Sequence, residues 1–228
     1  MSATSGSNAR RGSRVRMSGT ERREQLLDVG RALFAERGFD ATSIEEVATR
    51  ADVSKPVVYE HFGGKEGLYA VVVDREMQRL LNRMTGALSA GHPRELVEQA
   101  AVALLDYIET DTDGFRILIR QSPVATSSGT FASLISDIAS HVEHILGEEF
   151  TARGYDAGLA PLYSQALVGM VALTGQWWLD ARAPDRDHVA AHLVNLAWNG
   201  LSALEHSPSL AAGKRQQPTA RGGRPLPG

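Results

Sequence analysis

Between Thr20 and Glu205 nearly every segment repeats its apolar residues at helical spacing, and none alternates as a half-buried strand does. That restricts the chain to an all-α fold. "ATSIEEVATRA" carries the pattern most cleanly: Ile44, Val47, Ala48 and Ala51 fall at i, i+3, i+4 and i+7. Ser43 is its expected N-cap, with Glu46 three residues on to complete a capping box. Before it, a helix is expected from about Thr20, its cap, to Arg37, with Leu26, Val29, Leu33 and Phe34 on one face and Gly38 as its stop. After it, Asp52-Val53 makes a short turn and Ser54 caps another short helix. Pro56 is tolerated there because first-turn amides have no intrahelical partner. Gly63-Gly64 ends that helix, and Lys65 begins a long one reaching about Leu88.

The remaining helices are marked by stripes. Leu96, Ala100, Ala103, Leu104, Tyr107 and Ile108 form one, and Phe115, Leu118 and Ile119 form another that Pro123 ends. Phe131, Leu134, Ile138, Val142 and Ile145 continue to about Phe150. Leu162, Ala166, Met170 and Trp177 lie on a helix from about Ala157 to Arg182, and Val189, Leu193, Leu196, Gly200 and Leu204 on a last one to about Glu205. Nine helices are therefore expected, in a small domain over 19–66 and a larger one over 67–206. Residues 1–18, rich in Ser, Gly and Arg, and the tail 207–228 are expected to be disordered.

A chain of 228 residues, 43 % hydrophobic and 22 % charged, has the make-up of a globular protein with a real core. No apolar run reads as long enough to span a bilayer, and the N-terminus lacks the apolar region of a secretory signal, so no membrane partner is expected. With no cysteine, disulfides, thiol catalysis and cysteine-based zinc sites are excluded. These points favour the cytoplasm. The net charge of −3 hides an asymmetry. Met1–Arg75 holds 12 Lys/Arg against 11 Asp/Glu, Glu76–Glu205 holds 8 against 16, and beyond Glu205 there are 4 basic residues and no acidic one. Arg10, Arg11, Arg14, Arg16, Arg22 and Arg23 make an N-terminal basic cluster, readable either as a nucleic-acid contact or as a solubilising tail.

Two short helices joined by a tight turn, with a third before them, form a helix-turn-helix arrangement. In the second helix of the pair, Val58 and Phe62 supply a core face, and Lys55, Pro56 and Tyr59 lie on another side with Val57 at its margin. A major groove offers thymine methyls to Pro56 and Val57, and guanine acceptors to Lys55. Tyr59, His61 and Lys65 can donate to phosphate without reading sequence. Backbone amides at the start of the Lys65 helix favour an anion, and Ser43 can act likewise at the start of its own helix. Taken alone, "YEHF" reads more readily as a partly buried aromatic beside a solvated imidazole; the surrounding frame of spacings reverses that preference.

The stretch "REQLLDVGRALFAERGFDATSIEEVATRADVSKPVVYEHFGGKEGLYAVV" resembles the DNA-binding region of the TetR family of transcriptional regulators over roughly Arg23 to Val73. The resemblance rests on the phenylalanine-glycine after the first helix, the "TS-I--VA--A-VS" spacing and "VYEHF--K--L". One departure is Asp52, where such proteins usually carry glycine; aspartate tolerates the left-handed conformation, so the turn is expected to survive. The resemblance implies Ser54, Lys55, Pro56 and Val57 at the groove, and Ser43, Tyr59, His61 and Lys65 at phosphate. It also implies a homodimeric repressor on a palindromic double-stranded DNA operator, paired through the last two helices and released by a small effector. The helix containing "LYSQALVGMVALTGQWW" is apolar on more than one face, and Gly169, Gly175 and Gly200 would allow close helix approach.

Family members commonly hold their effector inside the larger domain. Candidate walls are Leu104, Tyr107, Ile108, Phe115, Leu118, Ile119, Phe131, Leu134, Ile138, Met170, Leu173 and Trp177, which periodicity alone reads as core. "LLDYIETDTDGFRILI", "ALVGMVALTGQWWLDARAP" and "LAWNGLSAL" are similar, in a more scattered way, to actinobacterial TetR-type regulators of fatty-acid synthesis that sense long acyl-coenzyme A. An acyl or lipid-like effector is the corresponding expectation. Arg116 and Arg120 either meet a phosphate or are solvated, and the solvated reading is favoured. His141 and His144 with Glu148, and His188 with His192, have metal-ligand spacing but no third ligand at a fixed offset, so no metal and no cofactor is expected. Two other classes stay open: an all-α metal-dependent enzyme, for which no G-x-S-x-G elbow or glycine-rich phosphate loop is present, and a helical interaction module that does not bind DNA.

Overall fold

The computed structural model describes residues 17–120 and 130–210. The arm up to residue 16, the stop at Pro123 and the tail from residue 211 lie outside the described residues. Among those described, the chain forms nine α-helices and no strand: α1 (Gly19–Ala41), α2 (Ile44–Arg50), α3 (Lys55–Phe62), α4 (Lys65–Ala87), α5 (Pro93–Thr110), α6 (Thr112–Ile119), α7 (Phe131–Arg153), α8 (Ala160–Ala181) and α9 (Arg186–Ser202). A 3-10 turn, Ala157–Leu159, precedes α8. Packing divides the chain into two compact units, Met1–Asn82 with Tyr107–Leu134, and Arg83–Asp106 with Ile135–Gly228. The first unit is thus larger than the expected three-helix domain, since it takes in most of α4 and all of α6.

The helix ends follow local chemistry, with corrections. Ser18, not Thr20, caps α1: its Oγ accepts from the Glu21 amide at 3.2 Å, and its own amide donates to Glu21 Oε2 at 2.7 Å. Ser18 therefore belongs to the folded part rather than to the basic arm. Gly38 does break α1, at φ 80° and ψ 176°, a conformation closed to side-chain-bearing residues. The buried Thr42 hydroxyl donates to the Gly38 carbonyl at 2.8 Å and so satisfies the broken end. Ser43 accepts from the Glu46 amide at 3.2 Å, but the return half of that box is not made, because the Glu46 carboxylate pairs with Arg37 instead. Asp52 takes φ 53°, the left-handed turn expected of it. Ser54 stands at the N-cap of α3 in extended conformation without a side-chain capping bond.

The core of the first unit contains Leu26, Leu33, Phe34, Val47, Val58 and Leu68, joined by Ile117 of α6. Each such side chain contributes about 1.5–3 kcal/mol on burial. Deeper polar anchoring surrounds Glu76 of α4, whose side chain is 1 % exposed. Its carboxylate accepts from Arg31 Nε of α1 at 2.9 Å, Arg79 Nη1 at 2.7 Å and the Tyr107 hydroxyl at 2.9 Å. Arg31 Nη2 also donates to Asp111 at 3.1 Å. Gly114 closes the site: a Cβ there would lie 2.0 Å from Glu76 Oε2. Burial and the neighbouring Glu76 push the Tyr107 phenol upward in pKa, so it stays a protonated donor. Tyr107, expected as an effector wall, is thus a buried structural residue bonded to Glu76.

In the second unit, Leu146, Phe150 and Ala160 form a local core with Tyr155 and Tyr163 against it. α8 buries Ser164, Val168, Ala172, Gly175, Trp178 and Leu179, and α9 buries Val189, Ala190, Leu193, Val194 and Ala197. Trp178 Nε1 donates to the Pro184 carbonyl at 2.8 Å, which ties α8 to the turn before α9. The opposite faces are uncovered: Leu162, Leu173, Trp177 and Leu196 are 63 %, 66 %, 54 % and 64 % exposed. Leu173 and Trp177 therefore do not belong to an interior wall. Of the other candidate walls, Leu104, Ile108, Phe115, Leu118, Leu134 and Ile138 are buried, and Ile119, Phe131 and Met170 half-buried. Ala157–Ala181 is also long and apolar enough to cross a membrane by length and composition, which corrects the earlier expectation; only 22 % of its apolar window is buried. The reason is a stretch from Ala157 to Leu179 without any Asp, Glu, Lys or Arg.

Candidate nucleic-acid interface

α3 is a short helix standing on one apolar anchor. Val58 is fully buried, and Val57 and Phe62 are half-buried against the same core. That registration turns Ser54, Lys55, Pro56 and Tyr59 outward, with Tyr59 53 % exposed. His61 is half-buried beside Phe62, their ring centroids 6.1 Å apart. Ser43 is exposed at the start of α2. Ser54, Lys55, Pro56 and Tyr59 thus share one exposed face, while Val57 sits at its margin, and Gly63 at φ 73° ends the helix, its amide donating to the Tyr59 carbonyl at 2.8 Å.

Lys65 is placed differently from the expectation. Its ammonium donates to the carbonyls of Phe39 at 3.0 Å and Asp40 at 3.5 Å, and it lies 4.2 Å from the centroid of the Phe39 ring. Two of its three protons serve the end of α1, so Lys65 first of all fastens that end to the start of α4. Arg120 is likewise more than a solvated side chain: Nη1 donates to the Phe34 carbonyl at 3.2 Å, whereas Arg116 only approaches Asp113 at 3.9 Å.

Three residues to which the sequence pattern assigned no such part hold this surface. Arg23 donates to the His61 carbonyl at 3.2 Å, and its guanidinium carbon lies 4.4 Å from the Phe62 ring centroid, clamping the end of α3. Gln25 Nε2 donates to the Ala51 carbonyl at 3.1 Å, clamping the end of α2. Glu45 of α2 accepts from Lys55. Arg23 had a legible signal, since it lies three and four residues before Leu26 and Leu27 and so shares their inward face; grouping it with the N-terminal basic cluster obscured that. The two histidine pairs gather no third ligand among the described residues: His144 and Glu148 are 3.6 Å apart and exposed, and His188 and His192 face each other at 3.1 Å.

Residues 26–72 match the family described as bacterial regulatory proteins, tetR family, and residues 83–212 match the tetracyclin repressor-like C-terminal domain. The chain belongs to the TetR family. It is 33 % identical over 199 residues to the HTH-type transcriptional activator FasR of Mycolicibacterium smegmatis, covering 85 % of this chain and 88 % of the relative. It is 37 % identical over 75 residues to the HTH-type transcriptional repressor Rv3405c of Mycobacterium tuberculosis, covering 33 % of this chain and 38 % of that one. Among solved structures, a TetR-like transcriptional regulator from Rhodococcus sp. RHA1 superposes with a TM-score of 0.68 at 28 % identity, over 83 % of this chain and all (100 %) of that one. The fatty acid degradation regulator FadR from Bacillus halodurans shares the fold, with a TM-score of 0.66 at 16 % identity over 79 % of this chain and 96 % of its own. This TetR-family chain is a transcriptional regulator of a group whose members bind DNA operators and form dimers.

Proposed function

We propose that the protein is a homodimer that places α3 of each subunit in a major groove of a palindromic operator and is released from it by a small hydrophobic effector. The observation that carries this reading is the outward row of Lys55, Pro56 and Tyr59 on a helix anchored by the fully buried Val58. Ser54, Lys55, Pro56 and Val57 meet base edges. Ser43, Tyr59, His61 and the remaining proton of Lys65 meet phosphate and set the register. Pairing uses the uncovered faces of α8 and α9, where Leu162, Leu173, Trp177 and Leu196 leave more apolar surface open than a lone subunit needs. The uncovered apolar surface of α8 then meets a second subunit rather than lipid, and the protein works in the cytoplasm on the nucleoid.

An acyl or lipid-like effector is supported by the likeness of the "GQWWLDARAP" and "LAWNGLSAL" segments to acyl-coenzyme A-sensing regulators, together with the 33 % identity to FasR. Effector binding favours a dimer whose recognition helices are wrongly spaced, a population shift that requires tighter binding to that form. A second reading, activation, is favoured by the word activator in the name of FasR. Selecting bound duplexes from genomic DNA, with and without long-chain acyl-coenzyme A, tests the proposal. A palindromic site lost on adding the acyl compound supports it, retention of the site in its presence removes the effector, and the absence of any selected site removes the regulator. Transcription from the selected promoter then separates repression from activation.

A further inference from the structure

Lys55 and Glu45 stand on the face proposed to meet DNA, Lys55 at the start of α3 and Glu45 in the first turn of α2. The Lys55 ammonium donates to Glu45 Oε1, yet the two side chains remain 49 % and 61 % exposed. Neither is exhausted by the contact. An ammonium has three donors and a carboxylate about four acceptor positions, and their mutual contact uses one of each. The hydrogen bond from Lys55, with a smaller backbone contribution, holds the Glu45 carboxyl below its ordinary range, so at neutral pH the group only accepts.

A lone carboxylate on such a face would be repelled by phosphate. Tied to a lysine, it is neutralised and can enter a groove as half of a donor–acceptor pair. In the major groove a G·C pair presents guanine N7 and O6 as neighbouring acceptors, with the cytosine N4 amino group as a donor beside them. A lysine over the guanine edge and a carboxylate at cytosine N4 match that order. On an A·T pair the same placement sets the ammonium against the adenine N6 donor and the carboxylate against thymine O4.

Building on the reading that this face binds DNA, we infer that Glu45 is a specificity-determining residue that, together with Lys55, selects one G·C pair in each half-site. The pair adds discrimination rather than affinity. Being neutral as a unit, it releases few counterions, whereas freeing Lys55 from Glu45 adds one cation to the interface. Glu45→Gln therefore tightens binding to all DNA, steepens the slope of log affinity against log salt by about one, and weakens base choice.

The experiment uses the full-length protein and a duplex recovered by selection. Binding of wild type, Glu45→Gln and Lys55→Ala is measured at several salt concentrations, on that duplex and on variants changed one base pair at a time. Wild type is expected to prefer G·C over A·T by about 10- to 100-fold at one position per half-site, the range of one good base contact. Glu45→Gln should keep less than about a third of that preference there, with other positions unchanged and binding to random DNA stronger. Lys55→Ala, leaving a bare carboxylate, should weaken binding to every duplex. A wild-type base profile in Glu45→Gln, or a uniform weakening without loss of choice, overturns the inference while leaving DNA binding intact. Failure of wild type to retard any duplex at low salt overturns the DNA-binding reading and the inference with it. Both side chains are exposed, so unchanged melting of the variants is expected and guards against misfolding.

Discussion

The helix-turn-helix and the α8–α9 pair solve the same packing problem with opposite surfaces. In α2 and α3 every strongly apolar side chain is at least half-buried, and what faces outward is Glu45, Thr49 and Arg50 of α2 and Lys55, Pro56, Tyr59 and Glu60 of α3. In α8 and α9 the inward faces are equally well buried, but Leu162, Leu173, Trp177 and Leu196 face outward as well. A polar outer face suits a hydrated, charged partner such as a duplex, since it costs little to expose when the partner is absent. An apolar outer face is unfavourable in water and is relieved only by association. On the function proposed above, one molecule carries one surface for a polyanion and another for its own copy.

The largest effect should come from charging the apolar face. Leu173→Glu, placed in the proposed isologous interface and so present twice, is expected to weaken self-association by at least about 100-fold, because two carboxylates would be desolvated without partners. Sedimentation equilibrium reads this, and a folded variant with unchanged association removes α8 from the interface. Next comes the first unit's own anchoring. Glu76→Ala should lower its stability by about 2–4 kcal/mol, below the full penalty for a broken buried pair because Arg31 and Arg79 reach water. Thermal or urea unfolding measures it, and a loss under about 0.5 kcal/mol would show that the node is incidental.

Smaller still, and confined to the polar face, Tyr59→Phe should reduce DNA affinity about 3- to 10-fold on all sequences alike, the worth of one hydrogen bond to phosphate. At 53 % exposure the change should leave melting unaltered, so any loss seen in gel retardation belongs to the interface. The mildest prediction concerns acid. The bidentate hydrogen bonds from Arg75 to Glu24, at 2.5 and 2.7 Å, hold the Glu24 carboxyl below its ordinary range. A depressed folded-state value stabilises above the ordinary carboxylate pKa, and that contribution is lost as pH falls through the lowered one. NMR titration should find Glu24 titrating low in wild type and near its usual value in Arg75→Ala.

The helix-turn-helix was legible because its signals are local. Ser43 as cap, the i, i+3, i+4, i+7 set of α2, Asp52 in the left-handed turn and Val58 as anchor are all settled by residues a few positions apart. The polar anchors were not. Lys65 reaching Phe39 and Asp40, Arg120 reaching Phe34 and Arg23 reaching His61 join positions 26, 25, 86 and 38 apart, and long side chains give no hint in sequence of which carbonyl they will find. Leu173 and Trp177 were misplaced for a related reason. On a helix apolar all round, periodicity cannot tell the side that meets the core from the side that meets nothing.

Sequence alone determined where the helices run, how α2, the Asp52 turn and α3 are joined, and which residues of α3 share a face, because backbone geometry and helix period act over a turn or two. Tertiary structure decided that Glu76 is buried among Arg31, Arg79 and Tyr107, that Gly114 must lack a Cβ there, and that Glu45 and Lys55 meet. Those outcomes depend on which distant helices approach, and only the packed chain brings such charges close enough to change what each can do.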